Sequence, residues 1–170
     1  MANVDLSRIP EFTHRYVALV MNDDLSTAFK KHQTELVALL KDIPKKRWDY
    51  RYAEGKWSIK EVVQHIIDAE RIFAYRALCF ARKDQTSLPA FDENLYAANS
   101  KAGERSKKDL IKELKTVQES SAQLFASFDD EQLAQPGTAN QNPTYVKGVA
   151  YILLGHSLHH KNILEEKYLK

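Results

Sequence analysis

Four long segments in which apolar residues recur at three- and four-residue intervals constrain the fold of this chain most strongly. This spacing places apolar side chains on one face of an α-helix, whereas a half-buried strand needs strict alternation. The segments cover residues 23–42, 58–82 and 106–128, and a last stretch that follows Thr144 and runs close to the C-terminus. A shorter helical piece is expected near residues 10–21, and strand signals are nearly absent. The sequence therefore predicts an all-α protein.

Two of these helices begin at a recognisable start signal. In Ser58-Ile-Lys-Glu61, the hydroxyl can accept a hydrogen bond from the third backbone amide while the carboxylate reaches back to the first residue. Ser106 and Asp109 have the same spacing. Glu61 thus has an ordinary capping role available to it, and whether it also belongs to a functional site stays open.

The connection between the second and third helices predicts the topology. Residues 83–105 form a longer link than a hairpin between antiparallel helices requires, and such a link can span the roughly 30 Å of a 20-residue helix. Helices 2 and 3 can then run parallel, which gives a four-helix bundle of up-down-down-up topology with a long crossover between them. The stretch LPAFDENLYAAN within the crossover mixes aromatic and acidic residues. It is compatible with a wall over a site and equally with a plain surface loop.

Length, charge and cysteine content exclude several classes of protein. A chain of 170 residues is expected to form a single domain, residues 1–170. Its 25 basic and 23 acidic residues are interspersed, so no basic stripe predicts nucleic-acid binding. The single cysteine, Cys79, cannot form an internal disulfide. No run of eighteen uncharged apolar residues predicts a membrane span, and the expected location is the cytoplasm.

Three histidines point into apolar helical stripes, where an imidazole needs a polar partner. At 100° per residue, His65 falls on the inward face of the second helix. His156 and His160 lie one turn apart on the inward face of the fourth helix. Two histidines from one helix and a third from a facing helix are a common way to supply imidazoles to a transition metal. The pattern predicts a metal site at His65, His156 and His160.

Each histidine also has an ordinary structural interpretation. A lone inward histidine such as His65 is more often a hydrogen-bonded core residue, and the metal interpretation gains from the pair and then from all three together. His32 shares an apolar face of the first helix, and we expect it in the core or next to a ligand rather than as a ligand. His159 falls on the flank of its helix, where it is either exposed or a neighbour of the ligands.

Asp68 is a carboxylate close to this predicted site. It lies one turn from His65 and near the same face, so it can orient that ring or accept a proton. A plain salt bridge with Arg71 or a nearby lysine is an equally good interpretation.

The motifs resemble those of the DinB-like family, a broad group also described with the bacillithiol-transferase proteins. The resemblance covers nearly the whole chain and is carried by the stretches Tyr52-Ala-Glu-Gly-Lys-Trp57-Ser58-Ile-Lys-Glu-Val-Val-Gln-His65, Asp68-Ala-Glu70-Arg71, Leu88-Pro-Ala-Phe91-Asp92-Glu93 and Gly155-His156-Ser-Leu-His-His160. Ser157 stands where similar sequences often have Glu, and Ala90 stands where Gly is common. A carboxylate next to the first late histidine is therefore missing here.

The resemblance implies a four-helix bundle of up-down-down-up topology, frequently dimeric, with a divalent metal bound by three histidines. Matched position by position, these are again His65, His156 and His160. Members of the family include metal-dependent thiol S-transferases and proteins described only as metal-dependent hydrolases. The family name refers to DNA damage, but the resemblance does not imply DNA binding.

The leading functional hypothesis is an enzyme that uses a His₃-bound divalent metal to activate a thiol or water. We expect Zn²⁺ first and Ni²⁺ second, a small-molecule substrate, a low-molecular-weight thiol as a candidate co-substrate, and a homodimer. Two alternatives stay open at this point. The bundle can bind metal or a small ligand without turnover, or the histidines can be hydrogen-bonded core residues of a structural protein.

Overall fold

The computed structural model describes residues 4–170, and its framework is four long helices. One shorter helix precedes them, and two more lie in the connections between them. In chain order the helices are α1 (His14–Val17), α2 (Leu25–Asp42), α3 (Ile59–Ala81), α4 (Glu93–Asn99), α5 (Lys107–Ala126), α6 (Asp130–Leu133) and α7 (Val146–Ile163). A π-helical turn, Leu164–Tyr168, extends α7. The predicted all-α class is confirmed.

The start signals in the sequence work as predicted. The backbone N–H of Ser58 donates to Glu61 Oε2 at 2.6 Å, and the hydroxyl of Ser58 accepts from the Glu61 backbone N–H at 3.3 Å. At the start of α5, the hydroxyl of Ser106 accepts from the Asp109 backbone N–H at 3.1 Å. Because each cap satisfies amides that a helix leaves unpaired, both helices begin within a residue of the expected position.

Three long-range hydrogen bonds define the direction of the helices. Lys107 Nζ donates to the carbonyl oxygen of Lys41 at 2.6 Å, so α5 begins where α2 ends. Lys60 Nζ donates to the carbonyl oxygen of Gly103 at 2.8 Å, so the crossover returns along the bundle to the beginning of α3. Near the C-terminus, the Tyr168 hydroxyl donates to the carbonyl oxygen of Trp57 at 2.6 Å. Helices α3 and α5 therefore run parallel between α2 and α7, which is the predicted up-down-down-up topology.

Two apolar clusters fill the bundle. One surrounds Trp48 and Tyr168 at the end where α3 and α5 begin. The other surrounds Phe80 and Tyr151 toward the opposite end. Between them along the helices lie buried polar side chains, namely His65, Glu70, Gln118, Ser121, His156 and Ser157. This polar layer separates the two clusters and contains two of the three predicted metal ligands.

A β-hairpin between α6 and α7 is a feature that the sequence pattern did not predict. Strands β1 (Pro136–Ala139) and β2 (Asn142–Tyr145) pair antiparallel, and both turn residues, Asn140 and Gln141, have positive φ. Each strand has four residues and contains a proline, so neither shows the alternation that identifies a strand. Among residues 4–170, no helix has the length and apolar character that crossing a membrane requires.

Candidate metal centre

Three histidines from two helices bring their ring nitrogens to one place. His65 lies on α3, and His156 and His160 lie one turn apart on the antiparallel α7. Nε2 of His156 is 3.0 Å from Nε2 of His65 and 3.1 Å from Nε2 of His160. One ligand atom from each ring lies within 4.8 Å of the other two. The structure thus brings together the three side chains that the sequence singled out.

The spacing and the chemistry of this trio fit a divalent metal. Nε2 of a neutral imidazole carries either one hydrogen or one lone pair, so His156 cannot hydrogen-bond to both neighbours at once through that atom. A cation among the three rings can accept one lone pair from each. Nitrogens bound at about 2.0–2.1 Å to one Zn²⁺ in tetrahedral geometry lie roughly 3.3 Å apart, close to the 3.0 Å and 3.1 Å that separate His156 from its two neighbours.

Burial keeps all three imidazoles in the neutral form that binds metals. It lowers the pKa of His65 to about 4, although the Glu93 carboxylate acts in the opposite direction. Burial, with repulsion from His65 and His159, lowers the pKa of His160 to about 3. The pKa of His156 lies well below its usual value, first through burial and then through repulsion by the neighbouring imidazoles. No proton has to be displaced from these nitrogens near neutral pH.

Aromatic side chains hold the rings of the trio in place. The Trp57 ring centroid is 4.8 Å from that of His65, and Trp57 directly precedes the Ser58 cap of α3. The rings of Tyr16 and Phe73 stand edge-on to His156 at centroid distances of 5.5 Å and 5.8 Å. This packing restricts the orientation of the imidazoles before any ligand arrives.

A cavity of about 450 Å³ opens on the trio. The N-terminal segment, α3, the crossover, the hairpin and α7 all contribute to its wall. Its lining includes Arg15, Tyr16, Trp57, Phe73, Arg76, Phe91, Glu93 and Thr144. Because Phe91 and Glu93 come from the crossover stretch LPAFDENLYAAN, this stretch forms part of a site wall rather than a plain surface loop.

Asp68 makes its hydrogen bond to a side chain outside the trio. Its carboxylate accepts a hydrogen bond from Gln64 Nε2 at 2.9 Å, and Gln64 Oε1 in turn accepts one from Arg105 at 2.6 Å. Arg105 also pairs with Glu113 of α5, so the network extends toward α5. The predicted role of Asp68 in orienting the ring of His65 therefore has no hydrogen bond to support it among the described residues. Burial raises the pKa of Asp68, but among the described residues it does not belong to the cavity wall.

The other sequence candidates lie outside the trio. His159 lines the cavity beside it and packs edge-on to Tyr16, with 5.2 Å between ring centroids. His32 is buried elsewhere, with Nε2 at 2.6 Å from the carboxylate of Asp23, as expected for a core residue. Glu61 serves as the α3 cap.

Several cavity residues were not found by sequence reasoning. Tyr16, Arg76 and Thr144 come from three separate parts of the chain and share no spacing. Trp57 did carry a signal, because it belongs to the KWS motif. Glu93 is the one carboxylate among the described residues of the wall, and it lies close enough to His65 to act on its charge.

Comparison with solved structures supports the fold. YfiT from Bacillus subtilis, described as a probable metal-dependent hydrolase with an unusual four-helix bundle topology, superposes with a TM-score of 0.72. The match covers 97% of this chain and 91% of YfiT at 14% sequence identity, so it shows a shared four-helix bundle. No curated protein sequence matches the chain.

Comparison with family models identifies the family. The model of the DinB superfamily matches residues 28–164. This range includes α3, α5 and α7, which contain the buried polar layer, and all three histidines of the trio. Since the match extends over most of the sequence, the chain belongs to the DinB superfamily.

Proposed function

We propose that this protein is a metal-dependent enzyme in which His65, His156 and His160 bind one divalent cation, with Zn²⁺ as the first candidate and Ni²⁺ as the second. One observation carries the proposal: three neutral imidazoles, two buried and one partly buried, converge at the wall of a cavity that can hold a small molecule. Three protein ligands leave a coordination position for water or substrate, as catalytic zinc sites do. The superfamily and the description of YfiT agree with a metal-dependent activity.

The bound cation would supply Lewis acidity, which lowers the pKa of a thiol or water and makes it nucleophilic at neutral pH. The protein would contribute the remaining steps. Trp57, Tyr16 and Phe73 hold the ligand rings and limit the water around them. We assign to Glu93, a carboxylate of the cavity wall that acts on the charge of His65, the role of accepting the proton that the thiol or water would lose.

Two reaction types satisfy this arrangement. In thiol transfer, a carbon–sulfur bond forms while the bond to the leaving group breaks, and the proton taken by Glu93 neutralises that group. In hydrolysis, the same exchange uses the oxygen of water. We propose the broader class, thiol transferase or hydrolase, with a small-molecule substrate. A homodimer is a further proposal from the family resemblance, and sedimentation velocity tests it.

Elemental analysis of protein purified without added metal or chelator tests the proposal. We expect about one divalent metal per chain in the wild-type protein. His156→Ala should lose the metal, whereas His159→Ala, a matched change one turn away on the cavity side, should retain it. Equal metal content in the two variants, or none in folded wild-type protein, would contradict the assignment.

Turnover is tested separately on metal-loaded protein. A panel of low-molecular-weight thiols with a generic electrophile measures transfer, and an ester panel without thiol measures hydrolysis. The panel in which the wild-type protein is active and His156→Ala is inactive identifies the reaction type. A metal-loaded protein that is inactive in both panels would favour a bundle that binds metal or a small ligand without turnover.

A further inference from the structure

Arg76 is a buried cation in the cavity wall that has no counter-ion. Its side chain is 8% exposed, and burial alone lowers its pKa. Among residues 4–170, no carboxylate forms an ion pair with it. A guanidinium removed from water without a paired anion is costly for a protein to maintain.

The other arginines near α3 show the contrast. Arg71 and Arg105 both pair with Glu113, and Arg51 pairs with Glu61. Arg76 instead donates one hydrogen bond, from Nη2 to the carbonyl oxygen of Pro89 at 2.7 Å. A guanidinium has five N–H groups, so most of its donors have no partner in the described part of the chain.

The surroundings of Arg76 suit an anion with an apolar body. Its guanidinium carbon lies 5.8 Å from the ring centroid of Phe73 and 6.0 Å from that of Phe91. The hydroxyl of Thr144, in the same cavity wall, is buried and has no hydrogen-bond partner among the described residues. The cavity wall therefore contains a guanidinium with a single hydrogen bond and a hydroxyl with none, next to two aromatic rings.

The position of Arg76 relative to the trio sets the size of this anion. Arg76 follows His65 by about three helical turns, so both side chains share one face of α3. The rise between them is about 16 Å, and long helical side chains lean toward the N-terminus, which leaves on the order of 10 Å between guanidinium and trio. A molecule of that length can reach both.

We infer that Arg76 binds the carboxylate of a small-molecule substrate whose reacting group lies at the histidine trio, with the apolar middle of the molecule between Phe73 and Phe91. The part of this inference that concerns the reacting end rests on the proposed function. The carboxylate site itself does not, because Arg76 is distant from the metal ligands.

A carboxylate matches the site better than a phosphate. A planar carboxylate can accept two parallel hydrogen bonds from a guanidinium, and its single charge neutralises that of Arg76. A phosphate dianion would retain one charge that Arg76 does not neutralise, because the second arginine of the wall, Arg15, lies on the N-terminal segment and donates to Tyr16.

The test measures binding of simple probes to chelator-treated protein, so that no probe can bind through a metal. The probes are 3-phenylpropionate, its neutral amide and inorganic phosphate, each followed by calorimetry. We expect the carboxylate to bind wild-type protein about tenfold or more tightly than the amide or phosphate. Arg76→Gln should abolish that preference. Arg71→Gln, the same change on the exposed face of the same helix, should leave it intact.

The comparison of acid with amide uses wild-type protein alone, so it decides the matter even if Arg76→Gln fails to fold. Equal affinity for acid and amide, no carboxylate binding up to about 10 mM, or unchanged preference in Arg76→Gln would overturn the inference. Tighter binding of phosphate would overturn the choice of carboxylate. Metal content distinguishes the failure of the two proposals. If the purified protein contains no metal but still binds the acid through Arg76, the proposed function is contradicted and the carboxylate site is not.

Discussion

The carboxyl group of Glu70 is enclosed between α3 and α5, with 2% of the residue exposed. Burial raises its pKa to about 7, although a hydrogen bond from Ser121 acts in the opposite direction. Its Oε1 atom has no hydrogen-bond partner among the described residues. Above neutral pH the polar layer of the bundle therefore contains a buried, unpaired negative charge, which reduces the stability of the fold.

We expect Glu70→Gln to stabilise the protein at pH 8 and to have little effect at pH 5. The folded protein holds a proton on Glu70 that the unfolded chain releases above its ordinary pKa of 4.5, so stability falls as pH rises from about 4.5 to about 7. The gain at pH 8 should be on the order of 2–3 kcal/mol. Urea unfolding at both pH values measures it.

Glu113→Gln is the control for this prediction. Glu113 lies on the neighbouring α5 and pairs with Arg71 and Arg105, and the hydrogen bonds from these two arginines outweigh the effect of burial and lower its pKa. Its loss should destabilise the protein at pH 8, opposite in sign to Glu70→Gln. A Glu70→Gln effect that is the same at pH 5 and pH 8 would show that its charge is not the cause.

Single residues of the candidate site could be predicted only where a helix defines their direction. His65, His156 and His160 follow from a rotation of 100° per residue, which needs no knowledge of the neighbours. Asp68 shows where this reasoning ends, since its partner Gln64 is itself bound by Arg105, a residue far away in the sequence. A binding role for Arg76 could not be predicted from the sequence. The role is inferred from the absence of a counter-ion, which only the three-dimensional structure reveals.

The N-terminal segment depends on a glycine in α7. A Cβ atom on Gly155 would overlap the backbone carbonyl of Tyr16, so only glycine lets this segment lie directly on the helix. The close approach places the Tyr16 ring against His156 and His159. One residue without a side chain thereby positions one side of the candidate metal site.

We expect Gly155→Ala to destabilise the protein by about 1–3 kcal/mol through this overlap. If the segment did not pack there, alanine in a helix would instead stabilise by up to about 1 kcal/mol, so the sign of the change is informative. Thermal unfolding measures the change, and hydrogen exchange of residues 10–20 shows whether the segment detaches. Gly103→Ala, where a Cβ meets open space, should be nearly neutral.

The secondary structure elements differ in how well the sequence predicts them. The long helices repeat their apolar spacing over several turns, and two of them have a capping serine, so their limits are predicted closely. The hairpin has only four residues per strand, and it is also stabilised by hydrogen bonds to residues far away in the sequence. Leu88 of the crossover, for example, donates its backbone N–H to the carbonyl oxygen of Thr138 at 2.9 Å. Neither feature leaves a pattern from which the hairpin could be predicted.

At the scale of the whole molecule, the crossover determines both topology and site. By returning along the bundle it makes α3 and α5 parallel, and α7 can then pack antiparallel to α3 with its histidines opposite His65. The crossover also places Phe91 and Glu93 in the cavity wall. Its length predicted the topology, because only a long link can connect parallel neighbours. That the crossover also lines the cavity became clear only from the structure.

The stability of the metal-free protein should depend on pH through the trio. Burial lowers the pKa of His65 to about 4 and that of His160 to about 3, whereas the unfolded chain takes up protons near 6.5. A group with a lowered folded pKa stabilises the fold above its unfolded pKa, and this contribution is lost as pH falls toward the folded value. We therefore expect stability to decrease by several kcal/mol between about pH 6.5 and pH 4.

The measurement is urea unfolding of chelator-treated protein across this range in the Glu70→Gln background, because Glu70 titrates there with the opposite sign. His156→Ala should show a shallower decrease, since it removes one of the buried imidazoles. At pH 7.5, excess Zn²⁺ should stabilise the parent by about 4 kcal/mol when its concentration is a thousandfold above the dissociation constant, and should not stabilise His156→Ala. A flat pH profile in the parent would mean that the three rings are not held neutral by the fold, and equal stabilisation of both proteins by Zn²⁺ would place the metal elsewhere.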